Sequence, residues 1–143
     1  MAGVVTLRGK GRYAVAYGAR CSPEMLEHQA WVTELELLLG VDFDRDARAG
    51  KAIPDGMFTR DGETLAVEVD NAGKQSRKQY AQKWAAYSGF EGDILVATHT
   101  EERLKAVTGW LDEPRKKQCL MTTFARLAAG KPWEDWRGET TEI

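Results

Sequence analysis

The dipeptide Asp61-Gly62, set between two short β-like runs, constrains this chain more than any other feature in it. An Asp-Gly pair in that setting signals a two-residue hairpin loop, because both loop positions take a positive φ. The flanking runs are residues 53–60 and 63–70. With a two-residue loop Arg60 faces Glu63, and counting outward sets Asp55 directly opposite Glu68. Opposed residues on one face bring their Cβ atoms to about 4.5–5.5 Å. Glu68 and Asp70, two apart on one strand, share a face, while Leu65, Val67 and Val69 point to the other. The pattern therefore predicts three carboxylates on one patch of sheet.

Like charges opposed across a strand pair destabilise it. Two readings follow. The patch is a hydrated strand edge, or it holds a hard divalent cation, Mg²⁺ or Mn²⁺, which takes oxygen ligands. On the second reading Asp55, Glu68 and Asp70 are the candidate metal ligands.

The rest of the chain reads as an α/β domain with a mixed sheet flanked by helices. Residues 4–8 and 12–17 alternate as a hairpin about Gly9-Lys10-Gly11. Ser22-Pro23 is a helix start, with Ser22 as N-cap and Pro23 at the first helical position. Gly40 stops that helix. Residues 41–43 are expected to begin a short strand ahead of the hairpin. A second helix is expected over residues 75–88, a buried strand over 93–98 and a helix over 101–111. A strand over 118–122 and a helix over 124–129 complete the expectation. Neither repeats nor a low-complexity linker interrupts the 143 residues, so a single domain is expected: an N-terminal hairpin to residue 20, a core over 21–98, and C-terminal helices and tail over 99–143.

Composition narrows the function. Hydrophobic residues make up 43% and charged residues 29%, a globular balance, and no apolar run approaches the ~20 residues of a membrane span. Neither a membrane partner nor a signal peptide is expected, and two scattered cysteines, Cys21 and Cys119, point to a reducing cytoplasm. A net charge of −2 argues against binding nucleic acid by bulk electrostatics alone. It leaves room for an enzyme whose clustered carboxylates hold a metal while local cations grip phosphate. Lys74, Arg77 and Lys78, at the start of the second helix and next to the acidic patch, are the candidate DNA contacts, since helix N-termini also favour phosphate. Arg115-Lys116-Lys117 is a second basic run, and both runs have the alternative of being solvated faces.

On the second helix Tyr80, Lys83, Trp84 and Tyr87 lie at helical spacing. Lys83 either snorkels from a packed aromatic face or reaches the acidic patch. On the first helix His28 is in line with Val32, Leu35 and Leu39, where a core role competes with a functional one. Glu34 lies on a neighbouring face with Glu27 and Trp31. Trp133 and Trp136 are expected to pack the C-terminal tail.

Pro54-Asp55, followed thirteen residues after the Asp by Glu68-Val69-Asp70 at the end of an apolar strand, resembles the PD-(D/E)xK nuclease superfamily. The resemblance covers roughly residues 22–98 and implies a restriction-endonuclease-like core with elements in the order αβββαβ. A closer resemblance is to the replication-relaxation family of plasmid and mobile-element proteins, in an early helical His (His28), Pro54-Asp55, Glu68-Val69-Asp70 and a K-x-x-x-Y helix (Lys83 to Tyr87). It implies a metal-dependent DNA endonuclease or nickase-like phosphodiesterase. Implied roles are Asp55, Glu68 and Asp70 at the metal, Lys83 in catalysis, His28 at phosphate, and Glu34 and Tyr87 in the outer shell. Partners would be DNA, a relaxase or replication protein, and a second copy of the chain.

One position departs from the superfamily pattern. Asp70 stands where a Lys usually orients the attacking water, and Lys83 is the best replacement, with Lys74 second. The alternative is a nuclease-fold module that has lost catalysis and binds DNA or a replication partner.

Overall fold

The computed structural model describes residues 2–6, 14–18, 22–71 and 73–143, the first two segments by backbone alone. Chain contacts divide into two compact units, residues 1–41 and 42–143. In the first, β1 (Ala2–Thr6) pairs antiparallel with β2 (Ala14–Gly18). The loop expected between them, and Cys21, lie outside the described residues. Helix α1 (Pro23–Leu39) follows, contacting both strands. The Ser22 side chain caps its start, and Gly40, at φ 69°, ends it in the left-handed conformation that glycine adopts without steric cost.

The second unit carries a six-stranded mixed sheet in the order β3-β4-β5-β6-β7-β8. Strands β3 (Gly56–Arg60) and β4 (Glu63–Val69) form the Asp61-Gly62 hairpin in the expected register, Arg60 opposite Glu63 and Gly56 opposite Val67. Both loop residues take positive φ, 53° and 80°. Helix α2 (Arg77–Ala86) then leads to β5 (Asp93–Thr98), parallel to β4. Helices α3 (Glu101–Gly109) and α4 (Glu113–Lys116) precede β6 (Cys119–Thr123), parallel to β5. After α5 (Phe124–Ala128), two short antiparallel strands, β7 (Trp133–Glu134) and β8 (Thr140–Thr141), close the sheet.

A continuous core forms where α2 and α3 pack on one face of this sheet. Ala66 of β4, Ile94 and Val96 of β5, and Cys119 and Met121 of β6 meet Tyr80, Trp84 and Tyr87 of α2 and Leu104 and Val107 of α3. The α2 aromatics follow one another at 5.5 and 6.0 Å between ring centroids, contacts each adding about 0.5–1.5 kcal/mol beyond the area they bury.

Three expectations need correction. Residues 41–43 form no strand; the residue after them, Asp44, pairs with Met57 as an isolated bridge. Phe43 packs its Cβ and ring where a Cβ on Gly56 would lie, and its ring stacks on Phe58 at 5.7 Å between centroids. The basic run 115–117 is no uniform solvated face, because Arg115 is buried and donates to the Tyr87 carbonyl at 3.5 Å. The C-terminal tail adds the short β7 and β8 to the sheet: Trp133 is buried within it, and Trp136 lies exposed under the Lys116 ammonium at 4.7 Å. No described helix is long and apolar enough to cross a membrane.

Candidate active site at the end of β4

Pro54 sets the geometry of the site. It has no N–H, so the β3–β4 ladder cannot continue through it in the ordinary way. Asp55 N–H still donates to the Val67 carbonyl at 3.0 Å, and then the Asp55 side chain takes over the ladder: its Oδ2 accepts from Val69 N–H at 2.8 Å. One carboxylate oxygen is thereby pinned to the strand that carries Glu68. The alternation of β4 sends Ala66, Glu68 and Asp70 to the α2 face, as the period of two requires.

Glu68 is 3% exposed. Its Oε1 accepts from the Tyr87 hydroxyl at 2.7 Å and its Oε2 from Lys83 Nζ at 3.0 Å. Burial pushes the Glu68 carboxyl above its usual range; the Lys83 charge opposes this, the neighbouring Asp55 adds to it, and the bonds from Tyr87 and Lys83 oppose it again. For Lys83, burial alone would lower the pKa, yet the combined fields of Glu68 and Asp55 overcome burial and hold the ammonium protonated. Of the two readings of Lys83, the structure therefore selects the one that reaches the patch. The ammonium also lies 5.1 Å from the Tyr80 ring centroid and 3.4 Å from Gln75 Oε1. The Tyr87 hydroxyl is pushed well above its usual range, first by burial and then by Glu68, so it remains a donor.

Asp70, on the same face, has other partners. Its carboxylate is fully buried and accepts from the Tyr80 hydroxyl at 2.5 Å, Arg103 Nε at 2.7 Å, Arg103 Nη2 at 3.0 Å and Gly73 N–H at 3.3 Å. The Arg103 guanidinium also donates to the Gln75 carbonyl and lies 5.1 Å from the Trp110 ring centroid. Sequence reasoning assigned no role to Arg103 or Gln75. Arg103 looked like one more charge on a polar helix, 33 residues from its partner, and no local pattern marked it.

The three carboxylates thus share a face but fall into two environments. Asp55 and Glu68 interact with each other and with Lys83 of α2, and the Asp70 carboxylate is paired with Arg103. Among the described residues, no group of three or more His, Cys, Asp or Glu side chains is arranged to hold a metal ion. A Mg²⁺-type ion nevertheless needs only one or two carboxylates, with water and substrate phosphate completing its shell, and Asp55 with Glu68 fits that donor set.

Lys74, Arg77 and Lys78 are exposed at the N-terminal end of α2. The helix start is closed by a capping box: Ser76 Oγ accepts from Gln79 N–H at 3.2 Å and Gln79 Oε1 from Ser76 N–H at 2.7 Å. Phosphate contacts there would come from the basic side chains more than from free backbone N–H groups. His28, half-buried, and Glu34, buried, belong to α1 in the first unit. Comparison with protein families, with curated proteins and with solved structures found no match for this chain.

Proposed function

We propose that the chain is a metal-dependent phosphodiesterase acting on DNA, built on the PD-(D/E)xK core that its motif resembles. The observation that carries this reading is the 3.0 Å contact of Lys83 Nζ with Glu68 Oε2 beside Asp55. It supplies from α2 the cation that the strand lacks at Asp70. Held by Asp55 and Glu68, Mg²⁺ or Mn²⁺ would contribute Lewis acidity at phosphate and a nucleophile from water at neutral pH.

The chain's own residues do the rest. The ladder bond from Val69 fixes Asp55, and the Tyr87 hydroxyl fixes one oxygen of Glu68. Lys83, kept protonated, offsets negative charge developing on the phosphate and orients a water beside Glu68. Lys74, Arg77 and Lys78 hold the flanking backbone. Asp70 binds no metal in this reading; it fixes Arg103 and Tyr80. A cytoplasmic setting on a plasmid or mobile element, with a relaxase or replication protein as partner, belongs to the same proposal. The test is nicking of plasmid and oligonucleotide DNA in Mn²⁺ by wild type and Asp55→Ala. Cleavage by the wild type, abolished in a variant with an unchanged circular-dichroism spectrum, is expected; cleavage retained in Asp55→Ala sinks the reading.

A specific observation favours a second reading, a module that binds DNA or a replication partner without cutting. Both Glu68 oxygens are already engaged by the chain's own donors. DNA binding indifferent to EDTA, with no nicking, is its signature.

A further inference from the structure

A cavity of about 340 Å³ opens beside the proposed reacting centre, lined by Gly73, His99, Thr100, Arg103 and Trp110. It lies just past the C-terminal ends of the parallel strands β4 and β5, the place where open α/β sheets receive ligands. Its volume is at the lower end of the ~300–1,000 Å³ typical of small-molecule sites, a size suited to one planar heterocycle with its sugar.

The lining has the chemistry of a stacking site. Trp110 and His99 offer aromatic surface, and Arg103 adds a planar guanidinium whose orientation is fixed by two bonds to Asp70 and one to the Gln75 carbonyl. Such surfaces bind bases with little regard to sequence, since every base has a π-face. His99 is itself braced, its ring stacked on Phe124 at 5.2 Å between centroids.

Two links tie the cavity to Glu68 and Lys83. Asp70, the partner of Arg103, follows Glu68 by two residues just past the end of β4, roughly 7 Å of extended chain. Across the loop before α2, Gln75 touches both sites, its side chain 3.4 Å from Lys83 Nζ and its carbonyl 2.5 Å from Arg103 Nη2. One nucleotide spans a separation of that order. The cations Lys74, Arg77 and Lys78 occupy the same loop and helix start, and Glu102 is the acidic residue of the lining.

We infer that this cavity takes one unstacked base of a single-stranded DNA segment, the nucleotide next to the phosphate presented to Glu68 and Lys83. The inference rests on the phosphodiesterase reading for the position of that phosphate and adds a substrate class to it: unpaired DNA, as in a tail, flap or opened strand. Fully paired duplex cannot place a base there without unstacking it.

The test uses the full chain carrying Glu68→Gln, so that substrate survives, and 2-aminopurine placed singly along a short single-stranded oligonucleotide. Quenching of the probe at one position is expected, together with affinity for the single strand above that for the matched duplex. Ala106→Trp, which fills the cavity from α3, should weaken single-strand binding by about fivefold to a hundredfold, the range for one stacked base. Trp110→Leu should relieve the quench. A folded Ala106→Trp variant with unchanged single-strand affinity overturns the inference while leaving the phosphodiesterase reading intact. So does uniform quenching at every position, or equal affinity for duplex. No binding of any oligonucleotide by the wild type or by the Glu68→Gln chain, with or without Mn²⁺, overturns both.

Discussion

Glu68, near the end of β4, and Asp70, just past it, stand two residues apart on one face, yet their surroundings differ in kind. Asp70 is completely buried and receives four donors, among them the paired N–H groups of Arg103. One negative and one positive charge cancel there, with every lone pair directed at a donor. Around Glu68 two carboxylates, its own and that of Asp55, act on Lys83. Burial, joined by the half-buried Asp55, raises the Glu68 carboxyl despite the opposing Lys83 charge. The Asp70 cluster has the character of a structural brace tying α3 and the α2 loop to β4. The Glu68 cluster holds a carboxyl raised by its surroundings, whose ionised form a bound cation would stabilise, and such perturbed groups concentrate at functional sites.

The largest effect that tests this contrast is removal of the brace. Arg103→Met leaves the Asp70 carboxylate buried without its charge partner, and breaking a buried pair in this one-sided way costs about 3–5 kcal/mol. Urea denaturation should show that loss. A cost below about 1 kcal/mol would mean that water reaches Asp70 and that the two carboxylates differ less than their contacts indicate.

Lys83→Met is the matched experiment at the other cluster. Burial already pushes the Glu68 carboxyl upward, so once the ammonium is gone Glu68 can take up a proton and stay buried as a neutral acid. The stability cost should be about 1–3 kcal/mol, below that of Arg103→Met, while Mn²⁺-dependent cleavage is lost. Equal stability costs at the two sites would make both of them braces.

These contrasts show which parts of the molecule sequence pattern exposes. The hairpin was legible because the Asp61-Gly62 loop fixes register locally, and Asp55 and Glu68 follow from that register by counting. Lys83 was half-legible: helical spacing placed it in the Tyr80–Tyr87 stripe, but only packing decides whether a lysine there turns outward or inward. Arg103 was illegible, because its partner is reached through the sheet topology and across 33 positions of chain. The expected strand at 41–43 is absent, and the Phe43–Gly56 packing found there joins residues with no common local pattern. Asp70 shows the same limit from the other side. Its position two residues after Glu68 predicts a shared face correctly, and nothing in that spacing reveals that Arg103 occupies it.

Smaller effects sharpen the comparison at its hydroxyl donors. Tyr80→Phe and Tyr87→Phe each remove one hydrogen bond to a buried carboxylate at nearly constant volume, for about 1 kcal/mol apiece. Only Tyr87→Phe should alter Mn²⁺ affinity measured by calorimetry, because Tyr87 touches Glu68, which the proposed reading puts at the metal, whereas Tyr80 touches Asp70, which it does not. A change in Mn²⁺ affinity from Tyr80→Phe of similar size would place Asp70 at the metal after all.

The smallest expected effect is in the pH dependence of stability, and its sign is set by Glu68. Its carboxyl titrates above the ordinary 4.5 in the folded chain, because burial and Asp55 together outweigh the help of Lys83 and Tyr87. The folded state therefore holds that proton more tightly than the unfolded chain does. The resulting stabilisation is complete below the unfolded value and is lost as pH rises through the folded one. Glu68→Gln cannot titrate, so the stability difference, wild type minus variant, should fall across that window in urea denaturation without divalent ions. Added Mn²⁺ should flatten the fall, since a cation shared by Asp55 and Glu68 stabilises the ionised carboxylate. A stability difference that instead rises with pH would mean that Lys83 outweighs burial, making the Glu68 pair a satisfied salt bridge like that of Asp70 and removing the electrostatic argument for a metal.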